Sequence, residues 1–374
     1  MLWEKLSELQ ERVRVITVNI LVRPFTIVNR SVSVLRTDGI AGYVRFIRKK
    51  IYTKWLRYPS SLLIEVSSKC NLNCSICQAV KASKYRKNSL LLFDDYKKII
   101  DDVSFFCFQI NLSFCGEPLL NKDIERMIVY AANKKIDVVI STNGELLSPE
   151  CAQAILKTPL SRIIISLDAV NETTYKKIRG SGNYDAIVNN IGNLINKRKK
   201  LHLKSPVVEL QMVCTKANEG QIDEFVLLAD QMGADVASIK TLYIDPHGGE
   251  SYKKNLIENF LPKEGISRYD VDDYKNIKLK EGGPCPSLNM AVITCDGDVV
   301  MCCFDIYGKF NFGNAIRESF KEIWKDGKYK SFRENVMKNR KLDLCKTCIY
   351  SDCPSIKVEL NTNHGRQVGK SEIR

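Results

Sequence analysis

Three closely spaced cysteines on a short polar segment could bind an iron–sulfur cluster. Cys70, Cys74 and Cys77 form a C-x3-C-x2-C group directly after the apolar run 62–66. Three thiolates on one loop can bind three irons of a [4Fe–4S] cluster and leave the fourth iron open to an exogenous molecule. A zinc site needs four protein ligands, and none of the three histidines is near this loop. Unrelated buried thiols are a weaker alternative, because Asn, Lys and Ser interleave the cysteines.

Three short motifs at the ends of apolar runs, and a basic residue after the third, follow further along the chain. They are Phe114-Cys115-Gly116-Glu117-Pro118, Ser141-Thr142-Asn143-Gly144, Ile165-Ser166-Leu167-Asp168 and Arg179-Gly180. Together with the cysteine loop they resemble the radical S-adenosylmethionine (SAM) superfamily, whose cluster loop follows the first strand of a β/α barrel. The first motif is similar to the GGEP segment of that family, with Cys115 in place of the first glycine.

The resemblance implies a cofactor, a reaction and roles for individual residues. SAM would bind the open iron and be cleaved reductively to a 5′-deoxyadenosyl radical, which takes a hydrogen atom from the substrate. Glu117 would accept hydrogen bonds from the SAM amino group, and Asn143 and Ser166 would hold ribose or carboxylate. Arg179 would offset the carboxylate charge. A one-electron donor such as flavodoxin or ferredoxin is implied as a partner. Glu117 and Arg179 have solvated surface charges as their alternative interpretation.

The hydrophobic pattern predicts six β/α units without reference to any family. Strand-like apolar runs alternate with helix-period segments, and the runs are 62–66, 108–114, 138–141, 163–168, 207–213 and 237–242. We therefore expect an α/β fold, a partial (β/α)6 TIM-like barrel with the motif residues at the C-terminal ends of its strands. Ser148-Pro149 predicts one helix start, and Asn218 with Gln221 predicts a capping box at another.

A second group of cysteines lies near the C-terminus. Cys285, Cys302, Cys345 and Cys348 are followed by Cys353, and Asp-Gly at 296–297 separates two β-branched runs. This dipeptide predicts a hairpin with a two-residue turn. Such a hairpin pairs residue 295 with 298 and 291 with 302, so residues 302 and 303 face opposite sides and only one can readily serve a cluster. Cys295 would lie about 13 Å from the 302 position along the ribbon. Cys295 and Cys303 are therefore interpreted as packing residues.

This second group resembles the SPASM/twitch domain of radical SAM enzymes, a small C-terminal β-hairpin plus helix. Its spacing is similar to that of the 2-deoxy-scyllo-inosamine dehydrogenase type. The resemblance implies an auxiliary [4Fe–4S] cluster, the second of two, on Cys285, Cys302, Cys345 and Cys348. A structural zinc on the same thiols is the alternative from spacing alone. The segment 312–316 before the apolar residues of 320–324 is also typical of that domain.

The positive charge is concentrated at the N-terminus. The 374-residue chain has a net charge of +14, and residues 1–60 hold twelve basic and four acidic residues, a net of +8. Aliphatic, basic and aromatic residues alternate there, as in segments that lie on anionic membranes or that pack on their own barrel. Nucleic acid is not expected, because no recognition motif accompanies the charge. The chain has fourteen cysteines and no recognisable leader, so we expect a cytoplasmic location without disulfides. Peripheral contact with the inner membrane face is a further expectation from the basic arm.

These patterns predict five segments and one class of enzyme. The segments are a basic arm (1–58), the radical SAM barrel (59–244), a linker (245–284), a SPASM/twitch domain (285–356) and a polar tail (357–374). We expect a radical SAM oxidoreductase acting on a small molecule: a sugar, a cyclitol or a lipid-linked saccharide. A peptide maturase or a membrane-lipid-modifying enzyme is the alternative. The arm lacks the compact βββ/ααα pattern of a peptide-recognition domain. A non-catalytic iron–sulfur module is a third class.

Overall fold

The structure is a computed structural model. It describes residues 40, 42–82, 86–263, 267, 269–271, 277–279, 285–346, 348 and 356–360. The chain forms two compact units, Met1–Ile51 and Tyr52–Arg374. In the first unit, residues 42–50 are helical, and most of the predicted basic arm lies outside the described residues. No helix in the described part is long and apolar enough to cross a membrane.

Six parallel strands form the centre of the second unit. They are β1 (Ser61–Ile64), β2 (Gln109–Asn111), β3 (Asp137–Thr142), β4 (Arg162–Ser166), β5 (Val207–Cys214) and β6 (Val236–Thr241), which pair in chain order. The six predicted β/α units are confirmed, because long apolar runs suit strands covered on both faces. The sheet is open rather than closed, so the barrel is partial, as expected.

Helices between these strands cover the outside of the sheet. They are α1 (Ala79–Ala82), α2 (Phe93–Val103), α3 (Ile124–Asn133), α4 (Pro149–Leu156), α5 (Glu172–Arg179), α6 (Tyr184–Lys200) and α7 (Ile222–Met232). The predicted start of α4 is confirmed, since the Ser148 side chain accepts a hydrogen bond from the Cys151 amide. The predicted capping box before α7 is wrong. The buried Asn218 side chain accepts from the Thr215 amide and donates to the Asp168 and Val213 carbonyls, so it ties two loops together.

The C-terminal hairpin continues the barrel sheet. Strand β9 (Met290–Ile293) runs parallel to β1, and β10 (Asp298–Val300) and β11 (Asn311–Asn314) follow it outward. Three helices complete this region: α9 (Phe320–Lys325), α10 (Gly327–Phe332) and α11 (Asp343–Lys346). The second domain is therefore joined to the barrel through the edge of β1.

Regular structure also occurs where the sequence predicted a linker and a tail. Helix α8 (Glu250–Phe260) buries Tyr252, Leu256 and Phe260 against Leu242 and Ile178. A short antiparallel pair, β7 (Tyr269–Val271) and β8 (Ile277–Leu279), follows it. Strand β12 (Ile356–Glu359) pairs antiparallel with β6 and covers that edge of the sheet. The apolar spacing of α8 was a signal that the polar composition of the region obscured.

The predicted hairpin register is wrong by one residue. Val299 pairs with Ile293 and Val300 with Val292. The Gly297 amide donates to the Thr294 carbonyl, and the Thr294 amide to the Asp298 carbonyl, so the loop has three residues. Gly297 has φ of +88°, as expected of a glycine that ends a type I turn in a bulge. The two-residue turn is therefore replaced by a bulged one.

Candidate active site and auxiliary site

The cysteine loop follows β1 and is held by the end of α5. The Ser75 amide donates to the Ile178 carbonyl at 2.9 Å, and the Ser75 hydroxyl to the Lys177 carbonyl at 3.3 Å. Gly180, at φ of +74°, ends the helix; a Cβ there would lie 2.9 Å from the Asn73 carbonyl oxygen. The carbonyls at a helix C-terminus need donors, and the loop supplies them. Helix α5 therefore fixes the loop that carries Cys74 and Cys77.

The Cys115-Gly116-Glu117 segment packs directly on the backbone before Cys70. The Glu117 amide donates to the Lys69 carbonyl at 2.8 Å. A Cβ on Gly116 would lie 2.2 Å from the Ser67 carbonyl oxygen and 2.5 Å from that of Lys69, so this position requires glycine. Cys115 is absent from the positive-φ residues of the described chain, which explains why a side chain is tolerated there.

One cavity of about 480 Å³ collects the predicted barrel residues. Its walls include the three loop cysteines and the four predicted SAM-binding residues: Cys70, Cys74, Cys77, Glu117, Asn143, Ser166 and Arg179. Residues of β5 and β6 complete the lining: Gln211 is the strand neighbour of Ser166, and Lys240 and Tyr243 lie at and just after the end of β6. The site lies at the C-terminal ends of the strands, where loops of β/α barrels place their functional groups.

Glu117 is a buried carboxylate with several protein donors. Its Oε1 accepts from the Thr142 hydroxyl at 2.7 Å and the Leu119 amide at 3.1 Å, and its Oε2 accepts from the Asn143 amide at 2.8 Å. Burial raises the pKa of the Glu117 carboxyl, and these hydrogen bonds oppose the rise. The carboxylate is thus fixed at the cavity wall, where Oε2 has room for a further donor such as an amino group.

Asn143 and Ser166 are placed by contacts that the sequence did not indicate. The Asn143 side chain donates to Asn71 Oδ1 at 2.9 Å, lies 3.9 Å from Cys70 Sγ, and accepts from the Glu145 amide. The half-buried Ser166 lines the cavity, and its carbonyl accepts from Arg179 at 2.9 Å. Asn143 therefore connects the end of β3 to the cysteine loop.

Arg179 forms a buried ion pair instead of a free charge. Its Nη2 lies 2.6 Å from Asp168 Oδ2, and its Nη1 lies 3.8 Å from Cys74 Sγ. The side chains of Arg179 and Asp168 are only 11% and 2% exposed. Burial raises the pKa of the Cys74 thiol to about 11, and the Arg179 charge opposes this rise. Asp168 was quoted in a motif, but its pairing with Arg179 was not predicted.

The donor set of this loop fits a cluster. Burial also raises the pKa of the Cys70 thiol, and bound metal is what keeps such thiols deprotonated. Every cysteine in the described part is a free thiol. In that part, no three His, Cys, Asp or Glu side chains converge to hold a single metal ion. A cubane needs no such convergence, since each thiolate binds a different iron.

A buried ion pair behind the cysteine loop was missed by the sequence analysis. The fully buried Glu65, just after β1, forms a two-point ion pair with Arg86. The same carboxylate accepts from the amides of Cys115 at 3.3 Å and Cys295 at 3.1 Å. Glu65 therefore links the barrel loops to the C-terminal hairpin. A charged residue inside the apolar run 62–66 was the available signal.

The four predicted auxiliary thiols also line one small cavity. Cys285, Cys302, Cys345 and Cys348 meet there, together with Met301, Phe304, Met337 and Leu344. The described lining includes Cys302 and does not include Cys303. Strand β10 ends at Val300, so the alternation of faces does not extend to position 302 and the register error leaves Cys302 in place.

The two interpreted packing cysteines lie outside this small cavity. Cys295 is buried with its sulfur 2.9 Å from the Ser89 hydroxyl, on the barrel side of the hairpin. Cys303 is half-buried. Cys353 lies outside the described residues. Phe304 lines both the auxiliary cavity and the larger cavity, and its ring centroid is 4.0 Å from that of Tyr243. The two cavities thus share Phe304 in their walls.

Comparisons with known proteins find two matching domains in this chain. Residues 64–229 match the Radical SAM superfamily, and residues 285–349 match SPASM, an iron-sulfur cluster-binding domain. Mycofactocin maturase MftC of Mycobacterium tuberculosis is 27% identical over 319 residues, which cover 80% of this chain and 78% of that protein. Fe-coproporphyrin III synthase of Methanosarcina barkeri is 26% identical over 335 residues, 77% of this chain and 80% of that protein. These relatives are not of the dehydrogenase type suggested by the cysteine spacing.

A solved structure shows the same fold. SuiB of Streptococcus suis, solved with its precursor peptide SuiA, superposes with a TM-score of 0.56 at 16% identity, over 93% of this chain and 83% of SuiB. At this identity the likeness concerns the fold alone. The chain therefore contains a radical SAM domain (residues 64–229) and an iron–sulfur cluster-binding SPASM domain (residues 285–349), and its cofactors are SAM and two [4Fe–4S] clusters.

Proposed function

We propose that this enzyme is a maturase that removes a hydrogen atom from a peptide substrate. The observation that carries the proposal is the single cavity shared by the cysteine loop, the SAM-binding candidates and the ends of β5 and β6. The similarity to the maturase MftC, over most of both chains, favours a peptide over a small molecule. SuiB, whose structure holds a precursor peptide, adds only that this fold has room for one.

The sequence analysis preferred a sugar, cyclitol or lipid-linked saccharide as substrate and kept a peptide as the alternative. We now propose the peptide. No relative named above supports the lipid-linked substrate or the membrane contact. The basic arm from which that contact was predicted lies mostly outside the described residues. The one-electron donor, flavodoxin or ferredoxin, stays a prediction.

The proposed division of roles follows the positions of the residues. Cys70, Cys74 and Cys77 would hold the barrel cluster, and Cys285, Cys302, Cys345 and Cys348 the auxiliary one. When bound, the barrel cluster and SAM supply the 5′-deoxyadenosyl radical. Glu117 would accept from the SAM amino group, and Asn143 and Ser166 would position its ribose or carboxylate.

We place the substrate at the wall that contains β6. Lys240 of β6 and Tyr243 just after it line the cavity there, and Phe304 lines both this cavity and the auxiliary one. Holding the substrate there orients one C–H bond toward the radical and converts the reaction into a step between positioned groups.

Deuterium transfer tests the proposal. The reconstituted enzyme, reduced with dithionite, is incubated with SAM and with perdeuterated synthetic peptides encoded beside its gene. Mass spectrometry follows both the peptide and 5′-deoxyadenosine. We expect deuterium in 5′-deoxyadenosine and a mass change in one peptide, both absent with Cys77→Ala. Deuterium transfer from a labelled sugar or cyclitol, with every peptide unchanged, would contradict the proposal of a peptide maturase and support the small-molecule hypothesis.

A further inference from the structure

Arg179 reaches the cysteine loop as well as its ion-pair partner. The guanidinium pairs with Asp168 through Nη2, and its Nη1 points to the Cys74 sulfur at 3.8 Å. The Nε of Arg179 is buried without a hydrogen-bond partner among the described residues. The SAM carboxylate role predicted for Arg179 leaves both the pair with Asp168 and the contact with Cys74 unexplained.

The pair is held rigidly from two sides. Asp168 Oδ1 accepts from the Val213 amide at 2.6 Å, and the Asp168 carbonyl accepts from Asn218 at 2.8 Å. Asp168 has φ of +61°, a left-handed conformation that is uncommon for non-glycine residues and that Asp tolerates better than most. Arg179 is the last residue of α5, and the backbone carbonyl of Ile178 at the same helix end accepts a hydrogen bond from the Ser75 amide of the loop. The guanidinium can therefore move away from Cys74 only by breaking its own contacts with Asp168 Oδ2 and the Ser166 carbonyl.

Such a pair has an electrostatic consequence for a cluster bound at Cys74. Reduction adds a negative charge, and in a buried site a nearby positive charge favours it strongly. Hydrogen bonds to the sulfurs and local charge are the protein's main means of setting a cluster's potential. Arginine is not deprotonated in proteins, and the ion pair with Asp168 stabilises the guanidinium, so Arg179 stays charged.

We propose that Arg179 and Asp168 set the reduction potential of the barrel cluster, Arg179 raising it by donating to the Cys74 thiolate and Asp168 limiting that rise. Arg179 is a positioning residue in this scheme, because it acts through Cys74. The inference rests on the cluster assigned to this loop in the proposed function. It does not depend on which substrate the enzyme takes.

A redox titration followed by electron paramagnetic resonance tests this without SAM or substrate. The barrel signal is the one lost in the Cys70→Ala/Cys74→Ala/Cys77→Ala variant. We expect a lower midpoint potential for Arg179→Met, a higher one for Asp168→Asn, and an intermediate one for the double variant. Lys176→Met is the matched control: it removes an exposed charge of the same helix, paired with Glu172, and leaves the potential unchanged.

Several outcomes would overturn the inference. Unchanged potentials in both single variants, or shifts of both in the same direction, contradict it while leaving the cluster assignment intact. If Arg179→Met binds no iron, two other variants test the inference. Arg179→Lys keeps the charge, so its midpoint potential should stay near that of the wild type. Asp168→Asn should still have a higher midpoint potential than the wild type. A triple cysteine variant that loses no signal would overturn the cluster assignment and the inference with it.

Discussion

Gly116→Ala is the smallest change that should disturb the active site. The added Cβ would lie 2.2 Å from the Ser67 carbonyl oxygen and 2.5 Å from that of Lys69, and both are backbone atoms. Ordinary contact requires a retreat of about 1 Å. The strand end that moves leads directly into Cys70, and the displaced segment carries Glu117. Overpacking of this kind costs about 1–3 kcal/mol of unfolding free energy.

The effect on catalysis should exceed the effect on stability. Misplacing reacting groups by about 1 Å can lower a rate about 10²-fold, so we expect 5′-deoxyadenosine formation to fall by about that factor. Liquid chromatography of the SAM cleavage products measures the rate, and thermal unfolding and iron content are followed in parallel.

Gly192→Ala supplies the matched control for this change. A Cβ there meets nothing within 4 Å, and alanine inside helix α6 should stabilise by about 1 kcal/mol with an unchanged rate. Wild-type cleavage and wild-type SAM dependence in Gly116→Ala would refute the close packing of this segment on the cysteine loop.

Three further predictions concern the auxiliary site, the buried ion pair and the Glu117 carboxyl. Cys302→Ala should remove most iron of the second cluster and Cys303→Ala should not, as iron analysis and absorption spectra of the two proteins would show; the reverse result would place position 303 at the auxiliary site. Arg86→Met should cost about 3–5 kcal/mol in denaturant unfolding because it leaves Glu65 uncompensated, whereas Arg57→Met, which breaks an exposed pair with Glu334, should cost less than about 1 kcal/mol; equal losses would contradict the role of Glu65. Burial raises the pKa of Glu117, so its carboxylate is protonated at a higher pH than that of an exposed Glu. SAM binding should therefore weaken as pH falls through that raised pKa, and Glu117→Gln should remove this pH dependence. Calorimetric titrations that give parallel pH profiles for the two proteins would count against the proposed contact.

Much of the barrel could be predicted because its signals are local. Each of the six strands overlaps an apolar run of the length that a strand needs, and the three cysteines of the first loop lie within eight residues. Their chemistry follows from residue type and spacing alone. The same is true of Ser148, whose role as a helix cap depends on the next few residues.

The errors arise where a distant partner decides. Asn218 matches a capping pattern, but its side chain donates hydrogen bonds to the carbonyls of Asp168 and Val213 instead. Glu65 is unremarkable in sequence until Arg86 and the amide of Cys295, 230 residues away, are brought to it. The hairpin turn shows a different limit, since Asp-Gly fits both a two-residue turn and the bulged turn that forms.

The four predicted auxiliary thiols line one cavity, although one step of the prediction, the hairpin register, is wrong. Cys302 was favoured from spacing, with an alternating-face argument on an assumed register. The strand ends before Cys302, so its direction depends on the irregular segment that follows and on packing against Met337 and Leu344. Sequence alternation cannot specify such a segment.

The most direct test of the account is iron content and SAM cleavage in the Cys70→Ala/Cys74→Ala/Cys77→Ala variant. Two cubanes give about eight irons in the wild-type protein, and the variant should keep about four, because each cluster needs its own thiolates. Dithionite and SAM should then yield no 5′-deoxyadenosine, while the auxiliary cluster remains visible spectroscopically. Continued formation of 5′-deoxyadenosine by the variant would show that the reactive cluster lies elsewhere in the chain.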